Sequence, residues 1–165
     1  MGSAPGQAEA AYLRFEVRDL MSAHVVALMP DDDLDLAGQL LRLLRIRHLP
    51  VVHEGRLVGI VSQRDLARVQ CLSVAPLSRG EQRTIRRGMP VRRIMTTPVV
   101  TVQPTTSAIE AARILCVRRL GCLPVLEGER LVGIITKSDF VASMVRAPLC
   151  VAAPARPARV AGGGG

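Results

Sequence analysis

The chain has 165 residues, 48% of them apolar, and a net charge of +8, which is enough to bury one ordinary core or two small packed ones. It contains no run of about 18 consecutive apolar residues that could span a bilayer, and its N-terminal MGSAPGQAEAA has neither the basic start nor the apolar core of a secretion signal. The expectation is a folded cytoplasmic protein with no membrane role.

In chain order, residues 1–12 read as a disordered N-terminus and 13–69 as a first folded unit. VVAL at 25–28 is a short β-branched run closed by Pro30 and reads as a strand. Asp31, Asp32 and Asp33 then offer N-cap oxygens to a helix whose buried face is Leu34, Ala37, Leu40 and Leu41. LPVVHEGRLVGIV at 49–61 reads as two strands around a glycine-containing turn, and a second helix begins at Ser62. Residues 70–90 form a basic connector. Arg79, Arg83, Arg86, Arg87, Arg92 and Arg93 stand against Glu81 alone over 70–93, so much of the net charge lies here, in what reads as a solvated loop or short helix.

Residues 91–146 repeat the first unit. Sliding the chain against itself by 74 residues places Leu49-Pro50-Val51 on Leu123-Pro124-Val125, LVGI at 57–60 on LVGI at 131–134, Met21 on Met95, Pro30 on Pro104 and Asp65 on Asp139, with no gap. VVTV at 99–102 is the second copy's strand, Thr105, Thr106 and Ser107 its cap residues, Ala108, Ala111, Ile114 and Leu115 its helix face, and Thr136 the start of its last helix. Residues 147–165, APLCVAAPARPARVAGGGG, read as a disordered Pro/Ala/Gly-rich tail. Each unit is thus β-α-β-β-α and too small to be comfortable alone, so the pair is expected to pack as one α/β (α+β) domain with pseudo-twofold symmetry and clefts at the junction.

Cys71, Cys116, Cys122 and Cys150 have no CxxC or other metal spacing, and the three histidines add no ligand pattern, so reduced thiols and no metal are expected. Ser62 with Asp65, and Thr136 with Asp139, have the spacing of a capping box. The same helix starts present amides and a positive dipole end to a polar ligand group, while an aspartate there would accept from a ribose diol rather than hold phosphate. Arg64 and Lys137 stand on these first turns, either as phosphate contacts or as a solvated helix face. Just before LPV the copies diverge, with Arg47 and His48 in the first and Gly121 and Cys122 in the second. Arg118 and Arg119 lie shortly before and are candidates to compensate.

The ordered set of DLM or RIM, a strand ending before proline, LPV, and LVGI followed by S/TxxD resembles the cystathionine β-synthase (CBS) domain, here as the tandem pair known as a Bateman module. The resemblance covers residues 17 to 146. It implies a stand-alone regulatory module that binds adenosine-containing nucleotides such as AMP, ADP, ATP or S-adenosylmethionine, requires no cofactor and commonly dimerises. It further implies that Asp65 and Asp139 bind ribose, that Ser62 and Thr136 contact ribose or phosphate, and that Arg47 and His48 contact phosphates. With one tyrosine, two phenylalanines and no tryptophan, adenine would need an aliphatic seat, which the resemblance places at Val25 and Ala27 or at Val99 and Thr101.

Two rival functions are weighed against this. Catalysis is disfavoured by the lack of a Ser/His/Asp set, a GxGxxG or Walker loop, or a metal-ligand cluster. The arginines of 79–93 motivate the alternative, binding of nucleic acid or of an acidic protein partner, although stacking aromatics are scarce.

Overall fold

The computed structural model describes residues 15–71 and 78–146; the expectations for 1–12 and 147–165, and for the side chains of Cys71 and Cys150, lie outside the described part. In chain order the elements are α1 (Val17–Leu20), α2 (Leu34–Leu43), β1 (His48–His53), β2 (Arg56–Ser62), α3 (Gln63–Cys71), α4 (Arg79–Arg87), a single 3-10 turn at Val91–Arg93, α5 (Ala108–Val117), β3 (Cys122–Glu127), β4 (Arg130–Thr136) and α6 (Lys137–Arg146). The two hairpins join into one antiparallel sheet of order β1-β2-β4-β3, linked through the pair Arg56 and Arg130. This mixed α+β architecture is the expected one.

The helix starts follow the capping chemistry of the sequence. Asp33 accepts from the amide of Leu36 at 2.7 Å and Ser107 from that of Glu110 at 3.2 Å, which satisfies donors that α2 and α5 cannot satisfy internally. The apolar faces behind these caps are buried, with Leu34, Ala37 and Leu41 in one core and Ala111 and Leu115 in the other.

The expected strands at 25–28 and 99–102 do not form, and proline explains why. Leu28 makes a single parallel bridge to Val51, donating to Pro50 O at 2.9 Å and accepting from Val52 N at 2.8 Å. The next rung on one side would need an amide proton from Pro50, and the next on the other side one from Pro30; neither exists. Val102 is stopped in the same way, between Pro124 and Pro104, with bonds to Pro124 O and Leu126 N alone. The segments lie extended against β1 and β3 but cannot ladder.

The two cores do not respect the two sequence repeats. Val17, which precedes the first LPV by more than 30 positions, is fully buried among Val102, Ala111, Leu115, Leu123, Val125 and Ile135 of the second repeat. Val91 is fully buried among Leu28, Leu34, Leu41, Leu49 and Val61 of the first. Backbone bonds secure both crossings: Val17 N to Thr106 O at 2.8 Å and Ala108 N to Phe15 O at 2.8 Å on one side, Val91 N to Asp32 O at 2.8 Å and Leu34 N to Met89 O at 3.1 Å on the other. The chain then continues as an added edge, with Ser22 paired to Ile134 and Thr96 to Ile60.

Here the glycine of each LVGI acquires its reason. Met95 lies over Gly59 and Met21 over Gly133, so close that a Cβ on Gly59 would come 2.8 Å from Met95 Cγ and one on Gly133 would come 3.2 Å from Met21 Cγ. The methionine of DLM thus closes on the LVGI of the second repeat, and that of RIM on the LVGI of the first.

Of the two forms expected for the connector, residues 79–87 take that of a short helix, α4, docked on the first repeat. Ser78 and Glu81 form a complete capping box at the start of α4. Arg83 and Arg87 reach Asp35 on α2 at 3.1 and 3.4 Å, where Gln39 also donates at 3.0 Å, and they leave the Asp35 side chain only 8% exposed. Desolvation pushes this carboxyl up, but the hydrogen bonds and charge of Arg83, joined by Arg87 and Gln39, outweigh it and hold the group below the ordinary carboxylate range. Arg92 pairs with Asp31 nearby.

Two outcomes follow from this packing. Val17→Ala should destabilise the protein by about 1–3 kcal/mol although Val17 lies at the edge of the first repeat, as measured by urea unfolding; a surface-like change would contradict the exchanged core. Asp35→Asn should lower Tm at pH 7. The stabilisation of a carboxyl with a depressed pKa is present above the ordinary carboxylate pKa and lost as pH falls through its folded-state value, so the gap from the parent should shrink in acid.

Candidate functional site

Each strand that carries LVGI ends at the start of a helix, and its last residue caps that helix. The Ser62 amide donates to Asp65 Oδ2 at 2.9 Å, its hydroxyl donates to the same oxygen at 2.6 Å, and the Asp65 amide returns a bond to Ser62 Oγ at 3.3 Å. In the second copy Thr136 N and Oγ1 donate to Asp139 Oδ2 at 2.7 and 2.8 Å. The S/TxxD spacing therefore builds a capping arrangement in both halves. The first amide of α3, that of Gln63, is taken by Arg47 O at 3.0 Å, which ties the helix start to the residues preceding β1.

Those preceding residues are placed by how α2 and α5 end. Ile46 N bonds back to Leu41 O at 3.1 Å and Leu120 N to Leu115 O at 3.0 Å, while Arg45 and Arg119 each take φ +53. This is the Schellman termination, which turns the chain sharply through a left-handed residue.

The helix ends of one kind and the helix starts of the other meet across the two repeats in a cleft of about 480 Å³ lined by Arg47, His48, Ser62, Gln63 and Arg64 from the first repeat, together with Arg119, Leu120, Gly121 and Lys137 from the second. Four of these side chains, Arg47, Arg64, Arg119 and Lys137, are basic, and no carboxylate is among those named. Four like charges converging on one space repel one another, and an anion with several oxygens is the natural relief.

His48 sits at the centre of the asymmetry. Its imidazole fills the space beside Gly121, where a Cβ would stand 2.5 Å from Cε1. Burial lowers its pKa below the ordinary histidine range, Asp65 works against that, and Arg47 and Arg64 add to it, so the ring is held neutral. The thiol of Cys122, next to Gly121, is pushed up to about 12 by burial and stays protonated, which makes it a packing group rather than a nucleophile. Among the described residues no group of three or more His, Cys, Asp or Glu could hold a metal ion.

Of the residues singled out from sequence, Arg47, His48, Ser62, Arg64 and Lys137 come together in this cleft. Thr136, Asp65, Asp139, Val25, Ala27, Val99 and Thr101 are not part of its lining. Asp65 and Asp139 face back to their caps, while Val25, Val99 and Thr101 are half-buried and Ala27 is exposed in the two extended segments. Gln63, Leu120, Gly121 and Arg119 complete the lining. The basic run at 118–119 was the available signal for Arg119; Gln63 carried none.

A family model for the CBS domain matches residues 17–71 and 91–146. The chain belongs to the CBS-domain family. It is 33% identical over 132 residues to a CBS domain-containing protein of Dictyostelium discoideum, spanning 79% of this chain and 91% of that one. A protein of Methanocaldococcus jannaschii is also 33% identical over 130 residues, but there the match covers 76% of this chain and only 31% of the relative. Among solved structures, one from Vibrio cholerae described as an acetoin utilization protein is 36% identical with a TM-score of 0.69, covering 80% of this chain and 91% of that one. CBSX2 in complex with AMP is 27% identical with a TM-score of 0.66, covering 80% and 97%.

The neutral imidazole gives this CBS pair a specific acid response. A histidine with a depressed folded pKa contributes stability that is present above its ordinary value of about 6.5 and is lost as pH falls through the folded value. Tm of the unliganded protein should fall as pH is lowered below about 6.5, and His48→Gln should flatten that part of the profile. Superimposable profiles for the two proteins would show that His48 is not the titrating group.

Proposed function

We propose that the chain is a regulatory CBS pair that senses an adenosine-containing nucleotide and holds its phosphates in the cationic cleft between the repeats. The observation that carries this reading is the convergence of Arg47, Arg64, Arg119 and Lys137, with His48, Ser62 and Gln63 as hydrogen-bonding groups, in a space that no acid among the described residues lines. Guanidinium and ammonium groups suit phosphate oxygens, and the AMP complex of CBSX2 supports the nucleotide class. Asp65 and Asp139 are assigned to the ribose diol through their second carboxylate oxygen, Ser62 and Thr136 to ribose or phosphate, and Val25, Ala27, Val99 and Thr101 to the adenine seat. The module regulates rather than catalyses and requires no cofactor of its own.

No helix among the described residues is long and apolar enough to cross a membrane, and the reading places the protein in the cytoplasm. It acts there as a homodimer. Leu43 and Val117, equivalent under the repeat, are 79% and 76% exposed at the ends of α2 and α5, and Val141, Met144 and Val145 lie exposed along α6. Such apolar helix surface suits a second copy. Nucleic acid is the weaker reading, because Arg83, Arg87 and Arg92 of the basic connector are already paired to Asp35 and Asp31 of the same chain.

Thermal shift tests the reading. ATP or AMP at a hundred times its Kd stabilises the folded state by about 2.7 kcal/mol, a rise of several degrees in Tm. Replacing both Asp65 and Asp139 with Ala should itself lower Tm through the lost caps, at about 0.5–2 kcal/mol each, and should also abolish the nucleotide-induced rise measured from that lower baseline. A rise of unchanged size in the double variant would remove the two aspartates from the site, and no rise with any adenine nucleotide would sink the function.

A further inference from the structure

The cleft is asymmetric in a way that the repeat does not predict. The position equivalent to Arg47 is Gly121, so a strict copy of the first repeat's cation is missing from the second. Nor is there room for one, because the imidazole of His48 occupies the space where a side chain at 121 would begin. The second repeat nonetheless delivers a guanidinium to the cleft from two positions earlier, through Arg119.

Arg119 is an unusual place from which to deliver it. It is the left-handed residue that terminates α5, at φ +53, a conformation in which glycine is free of the clash that a Cβ meets. The termination itself uses only backbone, the Arg119 amide to Cys116 O at 3.2 Å and the Leu120 amide to Leu115 O at 3.0 Å, so the fold makes no demand for an arginine side chain there. The repeat supplies an internal control. Arg45 has the same φ, ends α2 by the same pair of bonds and is likewise exposed, yet it does not line the cleft. Among the described residues the Arg119 guanidinium forms no ion pair with a carboxylate, whereas Arg83, Arg87 and Arg92 all do.

We propose that Arg119 is a phosphate-binding residue of the cleft, delivered from a backbone position better suited to glycine, and that it supplies from the second repeat the cation that Arg47 supplies from the first. This rests on the reading that the cleft takes a phosphorylated ligand. His48 then has a second consequence: by filling the space beside Gly121 it forces the two repeats to reach the same anion from different positions along the chain.

The test compares Arg119→Gly, Arg45→Gly and the parent by calorimetric titration with two probes, ATP and inorganic tripolyphosphate, and by Tm without ligand. Arg119→Gly should bind both probes about tenfold or more weakly while its unliganded Tm stays at or above the parent's, since glycine relieves the left-handed position. Arg45→Gly should show the same Tm behaviour with Kd within about twofold of the parent, as befits an exposed charge outside the site. Parent-like affinity in Arg119→Gly overturns the assignment and leaves the cleft's function standing. A lower unliganded Tm in that variant would show that Arg119 holds the fold instead. Weakened ATP with unchanged tripolyphosphate would move its contact to the nucleoside and overturn the phosphate role. If the parent binds neither probe, both the proposed function and this inference fall.

Discussion

The exchange of the short N-terminal segments between the two repeats is the constraint on which the rest of the molecule depends. A unit of about 50 residues exposes too much apolar surface to stand alone. Each repeat here resolves this by burying one residue of the other, Val17 in the second core and Val91 in the first, and by laying a methionine over the other's LVGI glycine. Glycine is required at 59 and 133 because backbone and thioether approach closely there, and any Cβ would have to displace the methionine. Because both crossings are made with the same hydrogen bonds, the two halves are related by an approximate twofold and cannot slide without breaking both.

That rigid relation is what creates the cleft. The helix starts that carry Ser62, Arg64 and Lys137 and the chain segments after α2 and α5 that carry Arg47 and Arg119 lie far apart in sequence, and only their meeting across the junction converts separate basic residues into one electrostatic site. Its chemistry is shaped by where charge has already been neutralised. Asp35 and Asp31 draw Arg83, Arg87 and Arg92 onto the first repeat, whereas the four cations that line the cleft face no lining carboxylate. Connector and cleft are both rich in arginine, but Arg83, Arg87 and Arg92 of the former are paired with aspartates of the same chain.

Much of the fold was legible in the sequence because it is local. Caps at Asp33 and Ser107, the apolar faces of α2 and α5, and the two hairpins each follow from residues within a few positions of one another. The misread strands at 25–28 and 99–102 are instructive, since β-branched composition was outweighed by prolines on the facing strand, at 50 and 124, which cannot donate the next rung. The candidate site was legible in part. Arg47, His48, Ser62, Arg64 and Lys137 were read from their motifs and do share the cleft, whereas the S/TxxD carboxylates turned to their own helix caps.

The sequence by itself determined the duplication, the paired helices and hairpins and the capping chemistry, because each depends on neighbours along the chain and recurs at a constant offset of 74. Only the tertiary structure decided that the segments cross over, that Gly121 is the seat of His48, that Arg119 enters the cleft while its twin Arg45 does not, and that Asp35 anchors the connector. The physical reason is common to all four. Each is a contact between residues far apart in sequence, whose partners are chosen by which surfaces must be removed from water together and not by any pattern within either partner.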